Sequence, residues 1–527
     1  MAAKERGMPI YSIAEVIRIH GAKRASQPAI IYRGETITFG EFEERSNRVA
    51  NGMRDEGVGI QDRIAFLDKN TPEYFDVVFG ASKLNAVSVA VNWRLSASEA
   101  AYIVNDSQAR VFVVGQDMVP LLDQMESELH QPIKILVVGG HPRHEAFEAW
   151  CARHDAIDPE FASQPGDVAF QFYSSGTTGL PKGVMLTNDN CFSFLESTYE
   201  ILGFTQDSVS LVCMPIFHVA GGFWALLSLY FGLPAVLQHE IVPAEIIELM
   251  ERHGVTHAVF APAVMQFILA LPEAKTADFS SLECICYGAS PISEEVLRNS
   301  IRTFGCRFLQ AYGLTETAGG IVVLGDEDHD PDGPNSHRLR AAGKPTAGTE
   351  MRLVDSETLV DVPVGEVGEV LIRSRQNMKG YWNRPEDTAQ ALLPDGWFRT
   401  GDAAYVDEDG YLYIHDRVKD MIVSGGENIY PAEVENCLMA HPAVADVAVI
   451  GVPDDQWGET PKALIVRAEG STEEEADILA FARKNLAHYK CPTSVEWVAV
   501  LPRNPSGKIL KSELRAPFWK SKGRMVN

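Results

Sequence analysis

The sequence predicts an α/β fold in two parts. A large N-terminal domain of parallel-rich sheets covered by helices is followed by a small α+β C-terminal domain. Three observations point there. Helical and strand patterns alternate through residues 1–415, which implies largely parallel sheets with helical crossovers. The pattern changes near residue 402 to a more compact α+β alternation. The chain has 527 residues, more than the roughly 250–300 that one hydrophobic core fills.

The elements follow in order. Residues 39–56 carry apolar side chains at helical spacing. RIAFLD (63–68) reads as a short strand, 72–84 as a helix and AVSVAVNW (86–93) as a buried strand. Further strands are expected at 111–115, 134–138, 209–214, 235–239, 256–261 and 283–287. The run VAGGFWALLSLYFGLPAVLQ (219–238) is nearly long enough to cross a bilayer. Three glycines, Ser228 and Pro234 interrupt it, and proline ends a helix, so a buried helix followed by a core strand is expected. GYLYIHD (410–416) alternates like a strand with one exposed face. Pro431 suits the first turn of a helix. VADVAVIGV (444–452) and PKALIVRA (461–468) are strands, and 493–500 is the last one. Thr472 and Glu475 have the spacing of a capping box for the helix after them. The domain boundary is placed between Asp416 and Asp420, giving domains 1–416 and 420–527.

Composition narrows the function. Hydrophobic residues make up 46%, as in soluble globular proteins. The net charge of −26 argues against nucleic acid as a partner. Eight scattered cysteines with no CxxC pair fit reduced thiols. The polar start MAAKERGMPI has no apolar signal core, so a cytoplasmic location is expected. Residues 503–524 hold seven cations against Glu513 alone, a stretch suited to anionic CoA, to peripheral contact with a membrane or simply to solvent. A homodimer stays open.

The densest chemical signal is YSSGTTGLPKGV (173–184), directly after the apolar strand VAFQFY. Its glycines let backbone approach a ligand, its hydroxyls donate, and Lys182 adds a cation. Together they make a nest for oligophosphate. The GxxxxGK[ST] spacing of a Walker loop is not met. In QAYGLTET (310–317), Glu316 offers a hard oxygen ligand of the kind Mg²⁺ takes beside nucleotide phosphates. Asp402 follows a Thr-Gly pair, which taken alone would mean only a turn.

The 173–184 string resembles the phosphate loop of the adenylate-forming superfamily, which includes acyl-CoA synthetases, peptide-synthetase adenylation domains and firefly-type luciferases. Further blocks follow in that superfamily's order: MPIFHVAGG (214–222), YGAS (287–290), QAYGLTET (310–317), WFRTGD (397–402), DRVKDMIVSGGENIYPAEVE (416–435) and PRNPSGKILK (502–511). The likeness is greatest to bacterial fatty-acyl-CoA synthetases. It implies a smaller β subdomain within the large domain and a hinge at 417–419, centred on Lys419.

The resemblance also implies roles. Ser174, Ser175, Gly176, Thr177, Thr178 and Lys182 would hold the phosphates of ATP, and Thr177 and Glu316 the Mg²⁺. Gly288, Ala289, Ser290, Gln310, Ala311, Tyr312, Gly313 and Thr315 would cradle the adenosine, with Tyr312 as the aromatic face for adenine. Asp402, helped by Arg417, would take the ribose hydroxyls. His218 would border the acyl pocket, with space at Gly221 and Gly222 and apolar walls from Phe217 and Trp224. Lys508 would reach in from the small domain between carboxylate and α-phosphate as the catalytic cation. Rotation of that domain would then bring Gly425 and Gly426 to the pantetheine arm of CoA. Trp457 and Lys490 would lie near CoA, although Cys491 and Thr493 stand where relatives carry basic residues.

The implied reaction makes acyl-AMP from ATP and a carboxylic acid, with medium- or long-chain fatty acids leading, and passes the acyl group to CoA. Aryl and steroid-side-chain acids, or a carrier protein as acceptor, are the alternatives. PIFHVAGG holds no aspartate for an α-amino group, which speaks against amino-acid adenylation. Val423 stands where luciferase-like relatives carry lysine. A non-enzymatic ligand-binding protein would have no use for Lys182, Glu316, Asp402, Arg417 and Lys508 together. HPRH (141–144), with Cys151 and His154, superficially suggests a zinc site but lies outside every matched block. GxSxG, HExxH and GxGxxG are absent from the sequence.

Overall fold

The computed structural model describes residues 12–174, 180–290, 292–417, 420–424, 427–454, 457–503 and 509–520. Among these residues the strands form four sheets. In the first, of eight strands, Val168–Ser174, Val87–Ala90, Arg63–Leu67, Ala109–Val114, Lys134–Val137 and Glu145–Ala146 run parallel in that order. Lys182–Thr187 and then Gly380–Tyr381 extend its other edge antiparallel. In the second, of nine strands, Arg307–Leu314, Cys284–Gly288, His257–Phe260, Ser210–Val212, Ala235–Leu237 and Pro28–Tyr32 are parallel. Antiparallel strands flank them at both edges. The parallel-rich α/β expectation holds because each crossover helix covers strands that are apolar on both faces.

Helices begin where the sequence supplies caps. Thr38 accepts from the Glu41 amide at 3.3 Å while Glu41 accepts from the Thr38 amide at 2.8 Å, closing a box ahead of Phe39–Asp55. That helix buries Phe39, Phe42, Val49, Ala50 and Met53 against Pro72–Lys83. The apolar run at 219–238 is a helix, Val219–Phe231, buried on nearly every face, followed by strand Ala235–Leu237. Gly232 ends the helix at φ 69°, a left-handed turn that glycine adopts without strain. No helix among the described residues is long and apolar enough to cross a membrane.

A third, antiparallel sheet joins Glu350–Val354, Gly368–Arg373, Phe398–Val406 and Leu412–Arg417. It is the smaller β subdomain, and it accounts for the change of pattern near residue 402. The fourth sheet, around the hairpin Val444–Asp454 and Gly458–Arg467, packs on helices Pro431–Met439 and Glu475–Asn485 with its own core of Ile422, Val434, Leu438, Val449 and Ile465. Arg417 thus ends a strand of one sheet and Ile422 opens a strand of the other.

One local expectation fails. Thr472 does not cap the helix at 475–485. Glu474 is the cap, and its amide donates to Asp477 at 3.0 Å. Glu473 turns back to accept from the Thr472 amide and the Ser471 hydroxyl, which holds Thr472 in the preceding turn.

In the large domain an ion cluster ties helix Ile13–Lys23 to helices Phe39–Asp55 and Pro72–Lys83. Lys83, with no exposed side-chain surface, donates to Glu43 at 2.8 Å and to Asp158 at 2.7 Å. Arg18 grips the same Asp158 through two bonds of 2.7 and 2.8 Å.

Candidate active site

The hairpin of Val168–Ser174 and Lys182–Thr187 brings Ser174 directly opposite Lys182. Of the predicted phosphate loop, these two lie within the described residues, and Ser175, Gly176, Thr177 and Thr178 lie outside them. The hairpin is anchored from below. Tyr173 donates to the Asp106 carboxylate at 2.7 Å, and Trp382 donates to the Asp106 carbonyl at 2.9 Å.

Glu316 sits in a short 3₁₀ turn, Thr315–Thr317, directly after Arg307–Leu314. Only 8% exposed, it comes to rest against Ser174. The Ser174 hydroxyl donates to Glu316 Oε1 at 3.0 Å. A second donor was not legible in the sequence: the Tyr381 hydroxyl reaches the same oxygen at 3.0 Å. Tyr381 also lies under Lys182, with Nζ 5.2 Å from the ring centre, and Lys182 pairs with Asp387 at 2.5 Å. Both charges that the sequence nominated for Mg-ATP are therefore present, close together and held by the segment 380–388. A hard carboxylate with one oxygen already oriented by two hydroxyls suits a divalent cation. Replacing Tyr381 with phenylalanine removes one of two donors to a carboxylate. We expect a cost of about 1 kcal/mol, roughly a fivefold rise in the Mg²⁺ concentration for half-maximal activity. A Mg²⁺ titration of pyrophosphate release checks this, and an unchanged midpoint would refute it.

Beside this group, Cys284–Gly288 and Arg307–Leu314 run parallel, with Gly288 opposite Ala311. A Cβ at Gly288 would lie 2.2 Å from the Ala311 carbonyl, so only glycine permits this approach. Ala289 follows at φ 66°, a left-handed geometry that costs a non-glycine residue about 1–2 kcal/mol. Such strain persists where surrounding structure imposes it, as at ligand sites. Ser290 is half-buried next to it. Gln310 Oε1 is a buried acceptor without a protein partner, an arrangement that calls for a donor from ligand or water. Gly313 and Thr315 continue toward Glu316. The Tyr312 hydroxyl donates at 2.7 Å to Asp402, which is 5% exposed on Phe398–Val406. Asp402 pairs in register with Arg417. The adenosine candidates thus come from two sheets yet converge.

The 214–224 block departs from the expected open pocket. Asn70, missed in the sequence, clamps it by donating to the Met214 carbonyl at 3.1 Å and accepting from the Ile216 amide at 3.0 Å. A Cβ at Gly221 would meet the Pro215 carbonyl at 2.3 Å, and one at Gly222 the Ile216 carbonyl at 2.8 Å. These glycines admit neighbouring backbone and do not leave space. Trp224 donates to the Leu211 carbonyl at 3.0 Å and packs on Phe204, so its indole serves the core. Phe217 and His218 keep ring contact, with centres 4.6 Å apart. His218 directly precedes helix Val219–Phe231 without a side-chain bond to its first turn, and its Nε2 is buried without a partner. Burial, reinforced by the positive field of Arg94, pushes its pKa down to about 4, so the imidazole is neutral at neutral pH. The Tyr74 hydroxyl, also unpartnered, lies 3.4 Å from the position a Gly222 Cβ would take.

In the C-terminal part, Trp457 is 51% exposed at the tip of the long hairpin, where its amide donates to Asp454 at 2.9 Å. Lys490 is occupied by both Glu433 oxygens at 2.7 and 2.8 Å. Cys491 is buried, and Thr493 bonds the Pro461 carbonyl at 3.2 Å. Lys419, Gly425, Gly426 and Lys508 lie outside the described residues. The two HPRH histidines and His154 are engaged elsewhere: His141 faces Asp123, His144 faces Glu126 and His154 faces Asp55.

Known proteins share this fold and family. The family model described as AMP-binding enzyme matches residues 17–382, and that for the AMP-binding enzyme C-terminal domain matches 433–508. The chain belongs to the AMP-binding enzyme family. A fatty acid–[acyl-carrier-protein] ligase of Streptomyces coeruleorubidus is 37% identical, over 98% of both chains. A feruloyl-CoA synthase of Amycolatopsis is 39% identical, over 93% of this chain and 96% of the relative. Among solved structures, an anthranilate CoA ligase in complex with anthranoyl-AMP superposes with a TM-score of 0.88 at 29% identity, covering 97% and 98% of the two chains. This AMP-binding enzyme is accordingly an adenylate-forming acid–thiol ligase that uses ATP.

Proposed function

We propose that the enzyme condenses ATP with a carboxylic acid bearing an apolar tail, a medium- or long-chain fatty acid foremost, and transfers the acyl group to CoA. The observation that carries the proposal is the meeting of Ser174, Lys182, Glu316 and Tyr381 at the strand ends, beside the Tyr312–Asp402 pair. Ser174 and Lys182 bind phosphate oxygens, Asp402 accepts from the ribose hydroxyls, and Arg417 donates to them. Tyr312, with Gly288, Ala289, Ser290 and Gln310, lines the base. Glu316, together with Thr177, supplies oxygen ligands for Mg²⁺. When bound, that cation neutralises phosphate charge. Neutral His218 orients the acid by hydrogen bonding.

In the first step a carboxylate oxygen attacks the α-phosphorus. The bond to the β-phosphate breaks, and pyrophosphate carries its electrons away. In the second, the CoA thiolate attacks the acyl carbonyl and AMP departs. Lys508 serves the first step and must withdraw for the second. We assign the withdrawal to rotation of 420–527 against 1–416 about 417–419, which would also bring Gly425, Gly426 and Trp457 to CoA.

Pyrophosphate release across a panel of fatty and aryl acids, with CoA, with a carrier protein and with neither, tests the reading. Release that depends on a fatty acid, with thioester formed on CoA, is expected. A second reading, loading of a carrier protein, is favoured by the Streptomyces relative, itself a fatty acid–[acyl-carrier-protein] ligase. Thioester on carrier protein alone would establish it. No acid-dependent release would overturn both.

A further inference from the structure

We propose that Asp387 is an exchangeable counter-ion that occupies Lys182 until a polyphosphate displaces it, and so sets the threshold for nucleotide binding. The inference rests on the reading of Lys182 as a phosphate ligand. Asp387 comes from outside every motif matched in the sequence, 205 residues from its partner.

Its placement is built. Gly380–Tyr381 adds to the phosphate hairpin as an edge strand, with Tyr381 opposite Val184. The turn after it is closed by Thr388, which accepts from the Tyr381 amide at 2.9 Å and donates to the Arg384 carbonyl at 2.8 Å. Trp382 is held to the Asp106 and Gly183 carbonyls at 2.9 and 2.7 Å. Asp387 is thereby presented to Lys182 at 2.5 Å by a fixed segment. The same segment gives Glu316 its Tyr381 hydroxyl, so one stretch of chain contacts both Lys182 and Glu316.

The pair is also weak enough to exchange. The Lys182 and Asp387 side chains retain 25% and 32% of their exposure, so water screens them. A single carboxylate at such a site competes poorly with a ligand carrying three or four negative charges. It does compete, because nucleotide must strip it from Lys182 before binding. Asp387 therefore lowers affinity for ATP and pyrophosphate, and eases pyrophosphate release after the first step.

Direct binding of ATP and of inorganic pyrophosphate to the full-length enzyme, measured by calorimetry, tests this. Asp387→Asn should tighten both by about two- to fivefold, the range expected from a partly exposed ion pair. Asp387→Glu, which keeps the charge, should stay near the parent affinity. In a Lys182→Met background, Asp387→Asn should have no effect. Unchanged or weaker binding in Asp387→Asn, or the same tightening without Lys182, overturns the proposal while leaving the nucleotide site intact. Full affinity for ATP in Lys182→Met alone would instead remove Lys182 from the nucleotide site, and the proposal with it.

Discussion

Adenylation by a Lys508→Ala variant is expected to fall about 10²–10³-fold, while thioester formation from supplied acyl-adenylate survives. The reason is electrostatic. The first step drives one anion onto another, and a preorganised ammonium where the charges crowd lowers that barrier. The second step joins a thiolate to a neutral acyl carbon, and a cation between them would obstruct the thiol. Two assays separate the steps: acid-dependent pyrophosphate release, and CoA acylation from synthetic acyl-AMP. Equal loss in both would sink the assignment of Lys508 and the domain rotation proposed with it.

The second large effect concerns stability. Lys83→Ala should destabilise the protein by about 3 kcal/mol, the lower end of the cost of breaking a buried charge pair. Lys83 itself is wholly buried, but Glu43 and Asp158 keep 22% and 19% of their side-chain exposure, which admits some water after the change. Glu43 Oε2 already lacks a partner, so that carboxylate has little to fall back on. Acid should erase part of the difference. Burial alone would raise the Asp158 pKa, but the hydrogen bonds from Arg18 and Lys83 outweigh it and hold the carboxyl below its ordinary 3.8. A depressed carboxylate contributes stability above 3.8 and loses it as pH falls further toward the folded-state value. Denaturant unfolding at pH 7 and near pH 3 should therefore show a wide gap between parent and variant at the first and a narrower one at the second. A gap that is absent at pH 7, or that widens in acid, would refute the account.

Much of the molecule was readable before any coordinates. Helix Phe39–Asp55 announces itself through spacing, and strand Arg63–Leu67 and the buried helix at 219–231 through apolar runs and what interrupts them, because each is decided by which of its own residues must leave water. Ser174, Lys182, Glu316, Tyr312 and Asp402 stand in dense local strings, so they could be picked out as candidates from the sequence alone. Failure came where a short-range rule had two ways to be satisfied. Thr472 could cap the helix, but Glu473 claimed its amide and Glu474 took the role. Gly221 and Gly222 looked like empty space, since a sequence shows a missing side chain but not the backbone that fills its place.

What the linear chain determined by itself is the α/β alternation and the family, together with a set of candidate charges for the adenylating site. Which of those charges meet was decided only in three dimensions. Asn70 reaches Met214 across 144 residues, Tyr381 reaches Glu316 across 65, and Lys83 reaches Asp158 across 75. Asn70, Tyr381 and Lys83 carry no local signature, because a hydrogen bond or ion pair depends on distance in space. That distance is set by strand register and helix packing summed over the whole fold.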